Sequence, residues 1–105
     1  MNDIAHPQPE LLSLSAVLNA LADPIRRRIL VRLAAHAETA CGGFNDCAPK
    51  TNLSYHFAKL REAGLIQTRQ EGTQRFISLR RDEIEARFPG LLDSVLRAAE
   101  EEEGV

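Results

Sequence analysis

Hydrophobic residues in the first third of the chain recur at helical spacing. In "LLSLSAVLNAL", residues 11–21, Leu11, Leu14, Val17, Leu18 and Leu21 stand three and four positions apart, which predicts an amphipathic helix with that stripe turned inward. Asp23 and Pro24 then provide an N-cap oxygen and a preset first turn for a second helix through "PIRRRILVRLAAH". Its inward positions are Ile25, Ile29, Leu30 and Leu33, which leaves Arg26, Arg27, Arg28 and Arg32 mostly on the wet side. The next stretch, "ETACGGFNDCAP", is rich in glycine, asparagine, aspartate and proline and predicts a turn region with at most a short helix.

The pattern resumes in "KTNLSYHFAKLREAGLI", residues 50–66. At about 100° per residue, Leu53, Phe57 and Leu60 fall in one narrow buried arc, and His56 lies beside it as a packed histidine bonded to backbone or water. Thr51, Tyr55, Ala58 and Glu62 occupy the opposite arc, with Ser54 on one edge and Asn52 and Lys59 on the other. Gly64 has the position of a left-handed helix cap, after which Leu65 and Ile66 return to the core. In "LIQTRQEGTQRFISLR" two β-prone runs flank Glu71 and Gly72, predicting a hairpin with a polar tip. Asp82 and Glu85 have capping-box spacing for a short helix that "FPG" interrupts, and Leu92, Val95, Leu96 and Ala99 form a last apolar stripe.

A helical core followed by a two-stranded hairpin predicts a mainly α fold with a β-hairpin wing, a winged helix-turn-helix. The chain divides into a leader at 1–10, a winged helix-turn-helix DNA-binding and dimerisation domain at 11–99, and an acidic tail at 100–105. Two leucine-rich helices near opposite ends of a 105-residue chain exceed what one small core buries, and a two-fold homodimer covers them.

Composition changes this picture only through its distribution. The net charge of −2 argues weakly against a nucleic-acid partner, but residues 50–81 hold seven Lys or Arg against two acids, a local +5. Residues 82–105 come to −6. A polyanion responds to the local patch, and the basic block coincides with the polar helix face and the hairpin tip. Thr, Asn, Ser and Tyr side chains on that face have the reach and the donors to address base edges and phosphates, while Ala58 lets the helix lie close. There is no secretion signal and no apolar run of membrane-spanning length, so a cytoplasmic protein without a membrane partner is expected, its two cysteines reduced.

"ALADPIRRRIL", "TNLSYHFAKLREAGLI" and "EGTQRFISLR", taken in that order, resemble the ArsR/SmtB family of small bacterial transcriptional repressors over about Leu12 to Leu96. The resemblance implies a homodimer joined through its first and last helices, a recognition helix in the major groove of double-stranded DNA and a wing near the minor groove. Recognition positions then fall on Lys50, Thr51, Asn52, Ser54 and Tyr55, with Lys59 on the edge of the same face and Thr73, Gln74 and Arg75 at the wing. Family members often carry histidine where this chain has Tyr55, and many place a serine cap where it has Pro49. A two-fold dimer implies a palindromic operator with half-sites about one DNA turn apart.

Repression in such a family is relieved by a metal, an oxidant or another signal. Metal-sensing members use a Cys-x-Cys pair before the recognition helix, or histidines and carboxylates on the last helix, and this chain has neither. Cys41, Cys47, His36 and Asp46 are the nearest approach to a zinc set, at weak spacing. No metal or other cofactor is therefore expected. Cys41 and Cys47 are candidates for a thiol switch if the glycine-rich turn brings the sulfurs together; otherwise they are structural and the effector is a small molecule or absent. No nucleophile motif or phosphate loop supports an enzyme, although Ser54 and Ser78, the histidines and the cysteines supply nucleophile and base on paper. The alternative is a winged-helix module that binds protein through its acidic C-terminal block and makes no specific DNA contact.

Overall fold

The computed structural model describes Gln8 and residues 12–102; the expectations for the leader, for Leu11 and for the last three residues lie outside them. The elements are α1 (Leu14–Leu21), α2 (Pro24–Ala34), β1 (Thr39–Ala40), a 3-10 helix (Cys41–Phe44), α3 (Lys50–Glu62), β2 (Ile66–Glu71), β3 (Gln74–Leu79), α4 (Arg81–Arg87) and α5 (Leu91–Glu102). This is a winged helix-turn-helix.

Local chemistry sets the helix ends. Asp23 caps α2, its Oδ1 accepting from the backbone N–H of Ile25 at 2.8 Å and of Arg26 at 3.1 Å, with Pro24 in the first turn. α3 ends in a Schellman arrangement: the Leu65 N–H donates to the Leu60 carbonyl and the Gly64 N–H to that of Arg61, with Gly64 at φ 85°. The wing turns at Gly72 and Thr73, with Gly72 at φ 61° and no positive φ at Thr73, the type II′ pattern that suits strand twist.

The expected hairpin gains a third strand, because β1 pairs antiparallel with β3 through Thr39 opposite Ile77 and Ala40 opposite Phe76. A two-residue strand inside a glycine-rich turn region has no periodicity to announce it. Beneath the sheet and helices lies one core containing Ile29, Leu30, Leu33, Phe44, Leu60, Leu65, Ile66, Ile77, Ile84 and Leu92, each at most 1% exposed.

Four expectations change. Leu14 and Leu18 are about half exposed (49% and 48%), while Val17, Ala20 and Leu21 carry the burial of α1, because only one side of this short helix faces α2 and α3. Asp82 does not cap α4: Arg80 is its N-cap residue without a side-chain cap, and Glu85 instead accepts from the Gly90 N–H at 3.2 Å, bracing the turn into α5. α5 buries Leu92, Leu96 and Ala99 within the chain and continues through Glu102, so Glu100, Glu101 and Glu102 sit exposed on a helix and not in a separate tail. The arginines of α2, expected on its wet side, are mostly structural. Arg27 donates to the Leu21 carbonyl at 2.8 Å, Arg28 to the Cys47 carbonyl at 3.2 Å, and Arg32 to the Gly43 carbonyl at 2.7 Å and to both oxygens of Asp46.

Candidate nucleic-acid interface

α3 is held by its inward side chains. Leu53, His56 and Leu60 are buried, and the half-buried Phe57 meets Phe44 edge-on at 5.3 Å between ring centroids. Burying a large apolar side chain contributes about 1.5–3 kcal/mol, so these contacts fix the rotation of the helix about its axis. That rotation turns the polar face outward. Lys50, Thr51, Asn52, Ser54 and Tyr55 are exposed and Lys59 is half-buried. Tyr55 is 57% exposed, a large aromatic without cover, and the Lys59 Nζ lies 5.5 Å from its ring centroid. Thr73, Gln74 and Arg75 are exposed at the wing turn.

One buried arginine ties this helix to the rest of the chain. Arg26, 7% exposed, donates through Nε to the Ala20 carbonyl at 2.7 Å and through Nη2 to the Asn19 carbonyl at 3.2 Å. Its Nη1 is 3.3 Å from Nδ1 of His56. A guanidinium only donates, so Nδ1 accepts and the ring proton sits on Nε2. The partner of His56 is thus a side chain, not the expected backbone or water. The signal for Arg26 lay in the helical wheel: at about 100° per residue it falls within about 60° of Ile29, Leu30 and Leu33, apart from Arg27, Arg28 and Arg32. Asp23 stands close by: burial alone raises its carboxyl, but the Arg26 and Ile25 N–H groups and the Arg26 charge outweigh that and hold it below its ordinary value.

Ion pairing sorts the basic block. Arg69 is matched by Glu38 at 2.9 Å and Glu71 at 2.6 Å and stacks on Phe76, 4.7 Å from the ring centroid. Arg81 pairs with Asp93 at 2.7 Å, and the buried Arg80 lies 3.6 Å from Glu83. Lys50, Lys59, Arg61 and Arg75 form no ion pair with any described residue. The positive charge that is left over therefore concentrates on α3 and the wing tip.

Between α3 and the wing runs an open cleft of about 510 Å³. Lys50, Leu53, Ser54, Phe57 and Arg61 line one side, and Cys41, Asn45 and the turn residues Thr73, Gln74 and Arg75 contribute to the rest. Arg61 and Asn45 were absent from the sequence-based site. The signal for Arg61 was legible, since eleven residues at about 100° each return nearly to the direction of Lys50. For Asn45 there was none.

Cys41 is half-buried and Cys47 buried, and both are free thiols. Burial pushes the Cys41 thiol above its ordinary value, with the Arg75 charge pulling the other way. The zinc set is not assembled: among the described residues no group of three His, Cys, Asp or Glu side chains stands together, and Asp46 is clamped by Arg32. That clamp holds the Asp46 carboxyl down at about 2. No helix of the described residues is long and apolar enough to cross a membrane.

A rigidly seated helix with an exposed polar face, a wing beside it and unpaired cations on both define a DNA-binding helix-turn-helix protein. Comparison with known proteins agrees. Residues 21–69 match a family described as a helix-turn-helix domain. An uncharacterized HTH-type transcriptional regulator of Bacillus subtilis (strain 168), YceK, is 37% identical over 82 residues, 75% of this chain and 82% of that protein. The solved structure of HlyU from Vibrio cholerae N16961 superimposes with a TM-score of 0.66 at 29% identity, over 80% of this chain and 88% of that one. The chain belongs to the helix-turn-helix transcriptional regulators, a family of DNA-binding proteins and not of enzymes.

Proposed function

We propose that the protein is a homodimeric repressor of the ArsR/SmtB type that occupies a palindromic operator and blocks a promoter in the bacterial cytoplasm. Lys50, Thr51, Asn52, Ser54, Tyr55 and Lys59 enter the major groove, and Thr73, Gln74 and Arg75 lie along the adjacent backbone near the minor groove. The observation that carries this reading is the sorting of charge: cations elsewhere in the basic block are matched by carboxylates, whereas Lys50, Lys59, Arg61 and Arg75 are left for phosphate. Support for the dimer comes from Leu14 and Leu18, bare on α1 in a single copy. A second copy places two recognition helices about one DNA turn apart, and an effector that changes their spacing by a few ångströms mismatches the half-sites.

Release by a small molecule is favoured over release by oxidation. A thiol switch through Cys41 and Cys47 needs a reactive thiolate at an accessible sulfur; burial pushes the Cys41 thiol up, and Cys47 is only 5% exposed. Binding of the purified protein to DNA from upstream of its own gene, measured by fluorescence anisotropy across a salt series, tests the whole reading. Tight binding with a steep salt dependence is expected, and Arg75→Ala lowers the salt slope by about 1. Tyr55→Ala weakens the operator more than unrelated DNA. Loss of binding on mild oxidation that Cys41→Ser prevents reinstates the thiol switch. Absence of any sequence preference refutes the repressor and favours a protein-binding module built on the acidic end of α5.

A further inference from the structure

The cleft between α3 and the wing has two chemical characters, and DNA binding accounts for one of them. Lys50, Arg61 and Arg75 reach it from the start of α3, the end of α3 and the wing, no carboxylate lines it, and none of the three has an ion-pair partner among the described residues. A DNA phosphate uses these charges. It does not use the apolar surface beside them, formed by the half-buried Phe57 and Ala40 over the buried Leu53. At about 510 Å³ the space is also larger than a phosphate group needs and lies within the range, roughly 300–1,000 Å³, of sites that take small organic ligands.

We infer that this cleft is a seat for a small organic anion: a carboxylate, sulfonate or phosphate head held by Arg61 and Arg75, with a flat apolar body laid on Phe57 and Ala40. The inference rests on the proposed DNA-binding face and adds to it the chemistry of an effector. Ser54 and Asn45 stand on the same walls as hydrogen-bond donors for the head group. Because Lys50, Ser54, Gln74 and Arg75 belong both to the cleft and to the proposed DNA face, ligand and DNA exclude one another directly. Release then needs no rearrangement of the dimer, and the apparent affinity for either partner falls in proportion to occupancy by the other.

Anilinonaphthalene sulfonate, an aromatic sulfonate whose fluorescence rises in apolar surroundings, tests the seat on the full-length protein. Arg61→Gln is the informative variant, since Arg61 lines the cleft, makes no ion pair with a described residue and is outside the proposed base-contacting set. The expected result is saturable binding that Arg61→Gln weakens about tenfold while the circular dichroism spectrum is unchanged. Uncharged anilinonaphthalene should bind much more weakly, and duplex DNA should displace the sulfonate competitively. Binding that is insensitive to Arg61→Gln, or equal for the uncharged compound, overturns the anion seat, as does no binding at all. Failure of DNA to displace a bound sulfonate, when anisotropy shows that the same DNA binds, overturns mutual exclusion. Should DNA fail to bind at all while the Arg61-dependent site remains, the repressor reading falls and the anion seat stands.

Discussion

Arg26→Met removes the group that joins α1, α2 and α3 and keeps a side chain of similar length. The buried bond to the Ala20 carbonyl, at 2.7 Å, is a charge-assisted one, a type that contributes about 1.5–3 kcal/mol. The longer contacts to Asn19, 3.2 Å, and His56, 3.3 Å, add about 1 kcal/mol each. Against this gross loss of about 3–5 kcal/mol stands the relief of burying a guanidinium, and the thioether recovers some packing, so the net cost comes to about 2–3 kcal/mol. For a chain of this size, with a urea slope of about 1.5 kcal/mol per molar, the unfolding midpoint falls by about 1.3–2 M at unchanged slope. Urea titrations followed by circular dichroism at one fixed chain concentration measure it, because the proposed dimer would make the midpoint concentration-dependent. A loss below about 0.5 kcal/mol refutes the idea that Arg26 locks α3 to α1, since surface substitutions commonly fall in that range.

Asp23→Ala should cost about 1–2 kcal/mol near neutral pH by removing the cap of α2. Its folded-state carboxyl titrates below the ordinary value, so the contribution is fully present above about pH 4 and is lost as the pH falls through the lower folded value; wild type and variant should differ at pH 7 and converge in acid. Gly64→Ala places a Cβ at φ 85° and should cost about 1–2 kcal/mol, lowering the calorimetric midpoint by at least about 4 °C. Leu14→Ser with Leu18→Ser should weaken self-association at least about tenfold in sedimentation velocity while leaving the monomer folded, and an unchanged dimer would remove α1 from the interface.

Much of the fold was legible because its signals are local. The cap at Asp23, the end of α3 at Gly64 and the wing turn at Gly72 each depend on what a single residue type does to its own backbone, and all three stand where the sequence placed them. The capping box at Asp82 and Glu85 shows the limit of such signals. A carboxylate at the right spacing caps only if the backbone enters the helix at the right residue, and here the helix begins at Arg81, two residues before the start that an Asp82 cap requires.

Charge was legible as a total and illegible as an arrangement. Glu38 is far in sequence from Arg69 and Asp93 from Arg81, and only the fold brings each acid to its partner. The same holds for the arginines of α2. The step of about 100° puts Arg26 among Ile29, Leu30 and Leu33 and Arg27 outside them, but only the fold brings His56 to the first and the exposed Glu102 to the second. Cys41 and Cys47 are six positions apart, and the fold decided their exposure, which a count of cysteines cannot.

By itself, then, the sequence determined the winged helix-turn-helix, the polar face of α3 and the coincidence of that face with a basic segment, because periodicity, caps and tight turns are properties of contiguous residues. Which cations remain unpaired among the described residues, that Arg26 anchors α3, that Leu14 and Leu18 are half exposed in one copy, and that α3 and the wing line a cleft came only with the packing. Each of these depends on distances between residues remote in sequence, and those distances are set by how the helices pack around a common core.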